Sequence, residues 1–448
     1  MNTSKSFLKK IRISVLAIAL ISITGTVFTL PTYAVAPFDV TVSDFSQLQT
    51  AVETSFAAAT DDMVITVSAP ISITTILTVP APATGGKSLT IKGSSPSITL
   101  TRGVTGNLIT IVGRATLILE NIIIDGAKNG GFSTDGGGSL VRLAGNLQLR
   151  SGAVLQNNVF AGDFGYGAGL HSVSGTLTLT GGKIIGNTAG SKGGGVYSST
   201  GVFTMIDGEI SGNSVNGQGG GVLTYDTEFT LNGGEISGNT CVGQGGGVYS
   251  ISPSVISPLV QNGGKISGNS ATFGGGIFMT ETPYDFNGGE ISGNSADDGG
   301  GIFMQLSVLT QNGGKISNNS AKKDGGGVFV YSEAYIMSGG EIIGNSAANN
   351  GGGVCIPANS YNVDFELSGS VKISDNKQSS GAKNNVYLTD GRYIMFGPAR
   401  SGMSVGVKTA TASGIIVAAN ATEADAAFFS DDDNGKVVFE GSQLKITK

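Results

Sequence analysis

Charge is scarce in this chain, and basic charge scarcer still. Asp, Glu, Lys and Arg make up 13 % of the 448 residues, there is no Trp, and the single His is His171. No Arg occurs between Arg150 and Arg392. A net charge of −6 argues against a surface on which a nucleic acid would displace its counterions. The only two cysteines, Cys241 and Cys355, lie several repeats apart at different repeat positions. They read as isolated thiols, so the fold must hold without disulfides. Beyond the N-terminal segment no apolar run is long enough to span a bilayer.

Glycine, by contrast, is abundant: 73 residues. Such a composition can mean disorder, but 39 % of the chain is hydrophobic and the mean hydropathy is +0.16. A disordered chain is more charged and less apolar. Many glycines with enough apolar residues for a sizeable core suit short strands joined by tight turns.

The N-terminus has the layout of a secretory leader. Lys5, Lys9, Lys10 and Arg12 precede an apolar run from Ile13 to Leu30, and small residues follow. Cleavage is expected after Ala34, giving a signal peptide over residues 1–34; an uncleaved anchor is the alternative. The expected localisation is secreted or cell-surface.

The middle of the chain repeats one phrase. GGKIIGN ends at Asn187, GEISGN at Asn213, and GGEISGN or close variants at Asn239, Asn269, Asn294, Asn319 and Asn345. Weaker copies end at Asn376 and Asn157. A second phrase, GGG followed by a small apolar residue and a larger one, recurs at Gly193, Gly219, Gly245, Gly274, Gly299, Gly325 and Gly351. A third apolar piece, such as EFTLN at 228–232, lies between them. The period is about 26 residues, which marks a solenoid. Three short strands per repeat, with Gly or Asn at the corners and no room for a crossover helix, predict one coil of a parallel β-helix rising about 4.8 Å. The expected fold is therefore all-β: a right-handed parallel β-helix with three strands per coil. The spacing sets regular coils over residues 151–391 and irregular early coils over 63–150. A helical N-terminal cap is expected over 35–62, with Ser43 as N-cap and Phe45, Leu48, Val52 and Phe56 on one face. A β-rich C-terminal cap is expected over 392–448.

Stacking turns each repeat position into a column. The Ile column from Ile184 to Ile373 should point inward. The Asn column (Asn187, Asn213, Asn239, Asn269, Asn294, Asn319, Asn345, Asn376) is expected to form a structural amide ladder. The residue before each core Ile alternates in charge: Lys183, Glu209, Glu235, Lys265, Glu290, Lys315, Glu341, Lys372. Six of its seven adjacent pairs are opposite in sign, a pattern that disfavours slipped register. The column after each GGG–apolar step should point outward. It is expected to give an exposed aromatic stripe of Tyr197, Tyr249, Phe278, Phe303 and Phe329, widened by Tyr225 and Tyr331, suited to stacking on sugar rings or docking a partner.

These phrases resemble the middle repeats of chlamydial polymorphic outer-membrane proteins, and still more the Gly-rich right-handed β-helix proteins that anaerobic bacteria export. The paired signal is hydrophobic-x-x-Asn, as in Ile236–Asn239, with GG-small-hydrophobic, as in Gly245–Val248; it covers roughly residues 60 to 400. The resemblance implies a pectate-lyase-like fold and surface or adhesin-like roles. Unlike in the chlamydial pattern, a C-terminal membrane barrel is not expected from these residues, nor is a Gram-positive sorting tail.

Many β-helices cleave polysaccharides, so catalysis is the competing expectation. The Gly-His-Gly of galacturonase-type enzymes is absent, and His171 reads as an isolated strand residue without an identifiable partner. Asp297–Asp298 and Asp431–Asp433 read as solvated loop acids rather than Ca²⁺ ligands. The enzyme reading, a lyase or hydrolase of acidic polysaccharide, requires Asp125, Asp135, Asp163 or Asp207 to converge in one groove. The expectation is a non-enzymatic binding protein without cofactor or metal, a monomer whose ligand is a glycan or a protein surface.

Overall fold

The computed structural model describes residues 39–132 and 134–448. The expected leader over residues 1–34 lies outside the described residues.

One coil illustrates the whole. Strands Val248–Ile251, Leu259–Gln261 and Lys265–Ser267 pair in parallel with Ile277–Thr280, Tyr284–Phe286 and Glu290–Ser292, the equivalent strands of the next coil. Each strand meets its successor one full turn later, so neighbours run in the same direction. Repetition gives a right-handed parallel β-helix of about fifteen turns with about 26 residues per turn. A fourth, two-residue ladder follows the Asn corner, as where Ser295–Ala296 pairs with Ser320–Ala321. The sequence phrases did not reveal it, because two residues carry no periodicity.

The core fills the interior of the coils. The Ile column is buried throughout, as are Val222, Val248, Ile277, Ile302 and Val328 of the first strand. The second strand contributes large rings: Phe203 stacks on Phe229 at 4.4 Å between centroids, and Tyr284 and Tyr335 lie fully inside. A buried hydroxyl needs a partner. Tyr284 donates to Gln261 Oε1 at 2.7 Å and Tyr335 to Gln311 Oε1 at 2.6 Å, each Gln coming from the coil before.

The triple-glycine corner has a steric reason. Gly245 adopts φ +72°, a conformation that glycine adopts at no steric cost. A Cβ on Gly246 would lie 2.4 Å from the carbonyl oxygen of Gly275, and one on Gly247 would lie 2.7 Å from that of Gly276. The second and third glycines thus let successive backbones touch.

The Asn column forms a directional ladder. Asn239 donates its main-chain N–H and its Nδ2 to Asn269 Oδ1 at 2.9 and 3.0 Å, and Nδ2 also reaches the carbonyl of Ile210 at 2.9 Å. The same bonding recurs from Asn187 to Asn376, with the Asn-to-Asn bonds always directed toward the C-terminus. At the N-terminal end the ladder residue is Asn158, not Asn157: Leu155 pairs with Ile184, so the third residue beyond it aligns with Asn187. A second ladder, on the surface, runs the other way: Asn262 donates to Asn232, Asn287 to Asn262, and Asn312 to Asn287.

The ends differ from the coils. Helix Phe45–Thr50 continues into a π-helical turn, Ala51–Ser55, and packs Leu48, Val52 and Phe56 into the core over the first coils. Its N-cap is Asp44 rather than Ser43: Asp44 Oδ1 accepts the Gln47 N–H at 2.9 Å, while the Ser43 N–H donates to Gln47 Oε1. At the other end parallel pairing runs on past residue 391 through Ser404–Thr409 to Phe429–Asp431. An antiparallel sheet of Ile415–Val417, Gln443–Thr447 and Lys436–Glu440 follows. Among the described residues no helix is long and apolar enough to cross a membrane.

Candidate functional site

The column after each GGG–apolar step does point away from the core, and it packs as a cluster of its own. Tyr249, Phe278, Phe303 and Phe329 pair in register and stack, with centroids 5.3, 5.1 and 4.8 Å apart and rings within 18° of parallel. They do not form the exposed stripe expected from the sequence: only 6, 2, 8 and 8 % of their surfaces are open. The reason is geometric. In a parallel ladder the faces of successive rings are turned toward one another at the coil spacing, so stacking consumes the faces a sugar would need. Phe273, Tyr225, Ile251 and Tyr331 pack on this column and remain half-buried. Cys355 ends the buried part of the column, and Cys241 lies in a different cluster; both thiols are free and pushed up in pKa by burial.

Toward the N-terminus the same column changes character and opens. Tyr197 aligns with His171, and His171 with Arg142. Tyr166, from the loop before this strand, closes the group: its ring lies 5.3 Å from Tyr197 and 6.2 Å from His171, and His171 lies 5.1 Å from Tyr197. Lys192 Nζ sits 5.6 Å from the centroid of the Tyr166 ring, within cation–π range. Phe164, 79 % exposed, meets Tyr166 edge-on at 6.5 Å. The residues between are half-buried, so rings, an ammonium and a guanidinium reach solvent together.

The electrostatics are unusual for an acidic chain. Burial, and then the neighbouring Arg142 guanidinium, push His171 down to about 4, so its imidazole is neutral near pH 7. Burial pushes the Tyr197 phenol up. Other lysines do meet a carboxylate: Lys322 and Lys323, for example, pair with Asp297 at 3.2 and 3.6 Å. Arg142 and Lys192 form no ion pair among the described residues. Two unpaired cations, a neutral imidazole and two phenols can hold an anionic or polar ligand against aromatic surface.

In the sequence His171 reads as isolated, and the cluster is not apparent there. A signal was present: GAGLHS at 167–172 aligns with GGGVYS at 193–198 and puts His171 on the column of Tyr197. The four acids named for catalysis lie on different elements. Asp125 accepts from Gln156 and Asn157, Asp135 from the N–H groups of Gly137 and Ala161, and Asp207 from Gly208, while Asp163 sits in the loop before Phe164. In the second acidic run Asp432 accepts from Asn385, and Asp433 pairs with Lys408 and Lys448. Among the described residues no group of three or more His, Cys, Asp or Glu is placed to hold a metal. Comparison with known proteins finds no matching family model, curated protein or solved structure.

Proposed function

We propose that this chain is an exported β-helix protein with an adhesin-like or structural binding role, and that it engages glycans at the Tyr166–His171–Tyr197 cluster. One observation carries the reading. The outward aromatic column is sealed by its own stacking from Tyr249 to Phe329 and opens at both ends; its Tyr387 end lies near Asp324 and Asp390, and its Tyr197 end meets Arg142 and Lys192. Aromatic surface beside unpaired cations suits a sugar bearing a carboxylate or sulfate. The leader-like N-terminus and the repeat phrases shared with exported β-helix proteins agree with this role. The rest of the column then acts as a spine that stiffens the scaffold.

The test is a glycan array probed with the chain from Val35 beside Tyr166→Ala, Lys192→Ala and Tyr197→Ala. Binding of acidic glycans that these variants lose while remaining folded supports the reading. Binding that survives all three substitutions overturns it.

A catalytic reading draws on a single observation: His171 is held neutral beside a guanidinium, a state in which an imidazole can accept a proton. New unsaturated or reducing sugar ends in the same wells, lost in His171→Gln, would replace the adhesin reading with a polysaccharide lyase or hydrolase.

A further inference from the structure

The alternating charges form a column on one flat face of the helix. Glu235, Lys265, Glu290, Lys315, Glu341 and Lys372 pair in register, coil on coil, next to core isoleucines. Within the chain their charges are largely unspent. Only Lys372 and Glu341 come together, at 3.9 Å. Glu235 and Glu290 accept instead from Ser267 Oγ at 2.6 Å and Ser317 Oγ at 2.9 Å. Lys265 and Lys315 are exposed and form neither an ion pair nor a side-chain hydrogen bond among the described residues. Most positions beside the column are Gly, Ser or Asn, with Ile343 the larger exception, so most of the charged side chains have only small neighbours.

The block has defined ends. On its N-terminal side Glu209 repeats the sign of Glu235 and is drawn 2.7 Å from Lys183. On its C-terminal side the next residue in the column is the uncharged Ser404. What lies between is strictly alternating and even in number, and such a column is complementary to its own reverse.

We propose that this face pairs with the same face of a second copy of the chain, antiparallel, about a two-fold axis that lies between the two faces and runs perpendicular to the charge column. Glu235 then faces Lys372 of the other copy, Lys265 faces Glu341, and Glu290 faces Lys315, and symmetry doubles each pair. A slip of one coil, about 4.8 Å, opposes like charges at every remaining position. The face is about 29 Å long, from six coils at that spacing, and is small for a stable interface. Exposed ion pairs add little each. The association is therefore weak, salt-sensitive and effective where copies are crowded, as on a surface.

Analytical ultracentrifugation across the micromolar-to-millimolar range tests this. The triple variants are Lys265→Glu/Lys315→Glu/Lys372→Glu, all acidic, and Glu235→Lys/Glu290→Lys/Glu341→Lys, all basic. The wild type should dimerise reversibly in about 0.01 M salt and dissociate in about 1 M, where screening is nearly complete. Each triple variant alone should be monomeric, and their equimolar mixture should form a heterodimer. If a triple variant loses its β-sheet circular dichroism, Lys315→Glu and Glu290→Lys take its place: each weakens the dimer and mixing restores it. A wild type that stays monomeric at low salt, or a dimer that charge reversal leaves intact, overturns the proposal.

Discussion

Asp432 closes the asparagine ladder: its Oδ2 accepts the main-chain N–H of Asn385 at 2.6 Å and its Oδ1 accepts Asn385 Nδ2 at 2.7 Å. Asn385 in turn accepts both donors of Asn376. Every ladder residue donates toward the C-terminus, so the last one must meet an acceptor, and the chain supplies a buried carboxylate. The opposite end is an orphaned acceptor, Asn158 Oδ1, because Ala127 stands at that position one coil earlier. The buried Arg102 guanidinium lies close by: the space above Gly136 Cα is 2.9 Å from Asn158 Oδ1 and 3.0 Å from Arg102 Nε. A cation at the acceptor end and an anion at the donor end match the polarity of a cooperative hydrogen-bond chain.

Asp432→Ala should therefore loosen the C-terminal cap. Two buried donors of Asn385 lose their acceptor, at roughly 1–3 kcal/mol each. Hydrogen exchange should quicken around residues 376–388 and leave the coils near residue 200 unchanged, since a solenoid transmits stability only to its neighbours. The pH dependence has a definite sign. Burial first of all raises the Asp432 pKa, against the opposing effects of the Asn385 hydrogen bonds and Lys383. A raised carboxyl favours the folded state below its unfolded value of about 3.9, and that contribution is lost as pH rises through the folded value. Asp432→Ala should remove this slope from the unfolding curve.

The two ladders give a paired test on one coil. Asn269→Ala should cost roughly 3 kcal/mol or more, because Asn239 keeps two buried donors without an acceptor. Asn262→Ala, on the exposed ladder, should stay within about 0.5 kcal/mol of wild type. Urea unfolding of both variants checks the difference; equal costs would mean that the buried amides are not what stiffens the corner.

Phe278→Ala should act on stability rather than on ligand. The ring is held between Tyr249 and Phe303, and removing a buried Phe costs roughly 3–5 kcal/mol. Glycan binding per folded molecule should be unchanged. A selective loss of binding with wild-type stability would return the ligand site to the middle of the column.

His171 can be followed directly, because the chain has no other histidine. Its ring resonances should titrate near pH 4, well below the usual value of about 6.5. With a depressed pKa the unfolded chain takes up a proton before the folded one does, so stability falls as pH drops from about 6.5 toward about 4. Arg142→Ala should raise the midpoint, since the guanidinium is the second cause of the depression after burial. An unshifted midpoint would place Arg142 away from the imidazole.

The coil is legible in the amino-acid order. The Ile–x–x–Asn and triple-Gly phrases recur at one period, and each has a local physical cause: Ile236 fills the interior, Asn239 ties one coil to the next, and Gly245–Gly247 allow backbones to touch. Strand alternation also settled which residues leave the core. Tertiary structure alone decided what became of the outward residues. Alternation says that Phe278 points out but not that its neighbours cover both of its faces; that follows from in-register stacking. It also fixed the partner of Asn385, 47 residues away in sequence, and gathered Arg142, Tyr166, His171, Lys192 and Tyr197 from successive coils. A repeat records what recurs, so the positions where it lapses, GAGLHS in place of GGGVYS and Asp432 beyond the last Asn, gain their meaning only from the neighbours that folding supplies.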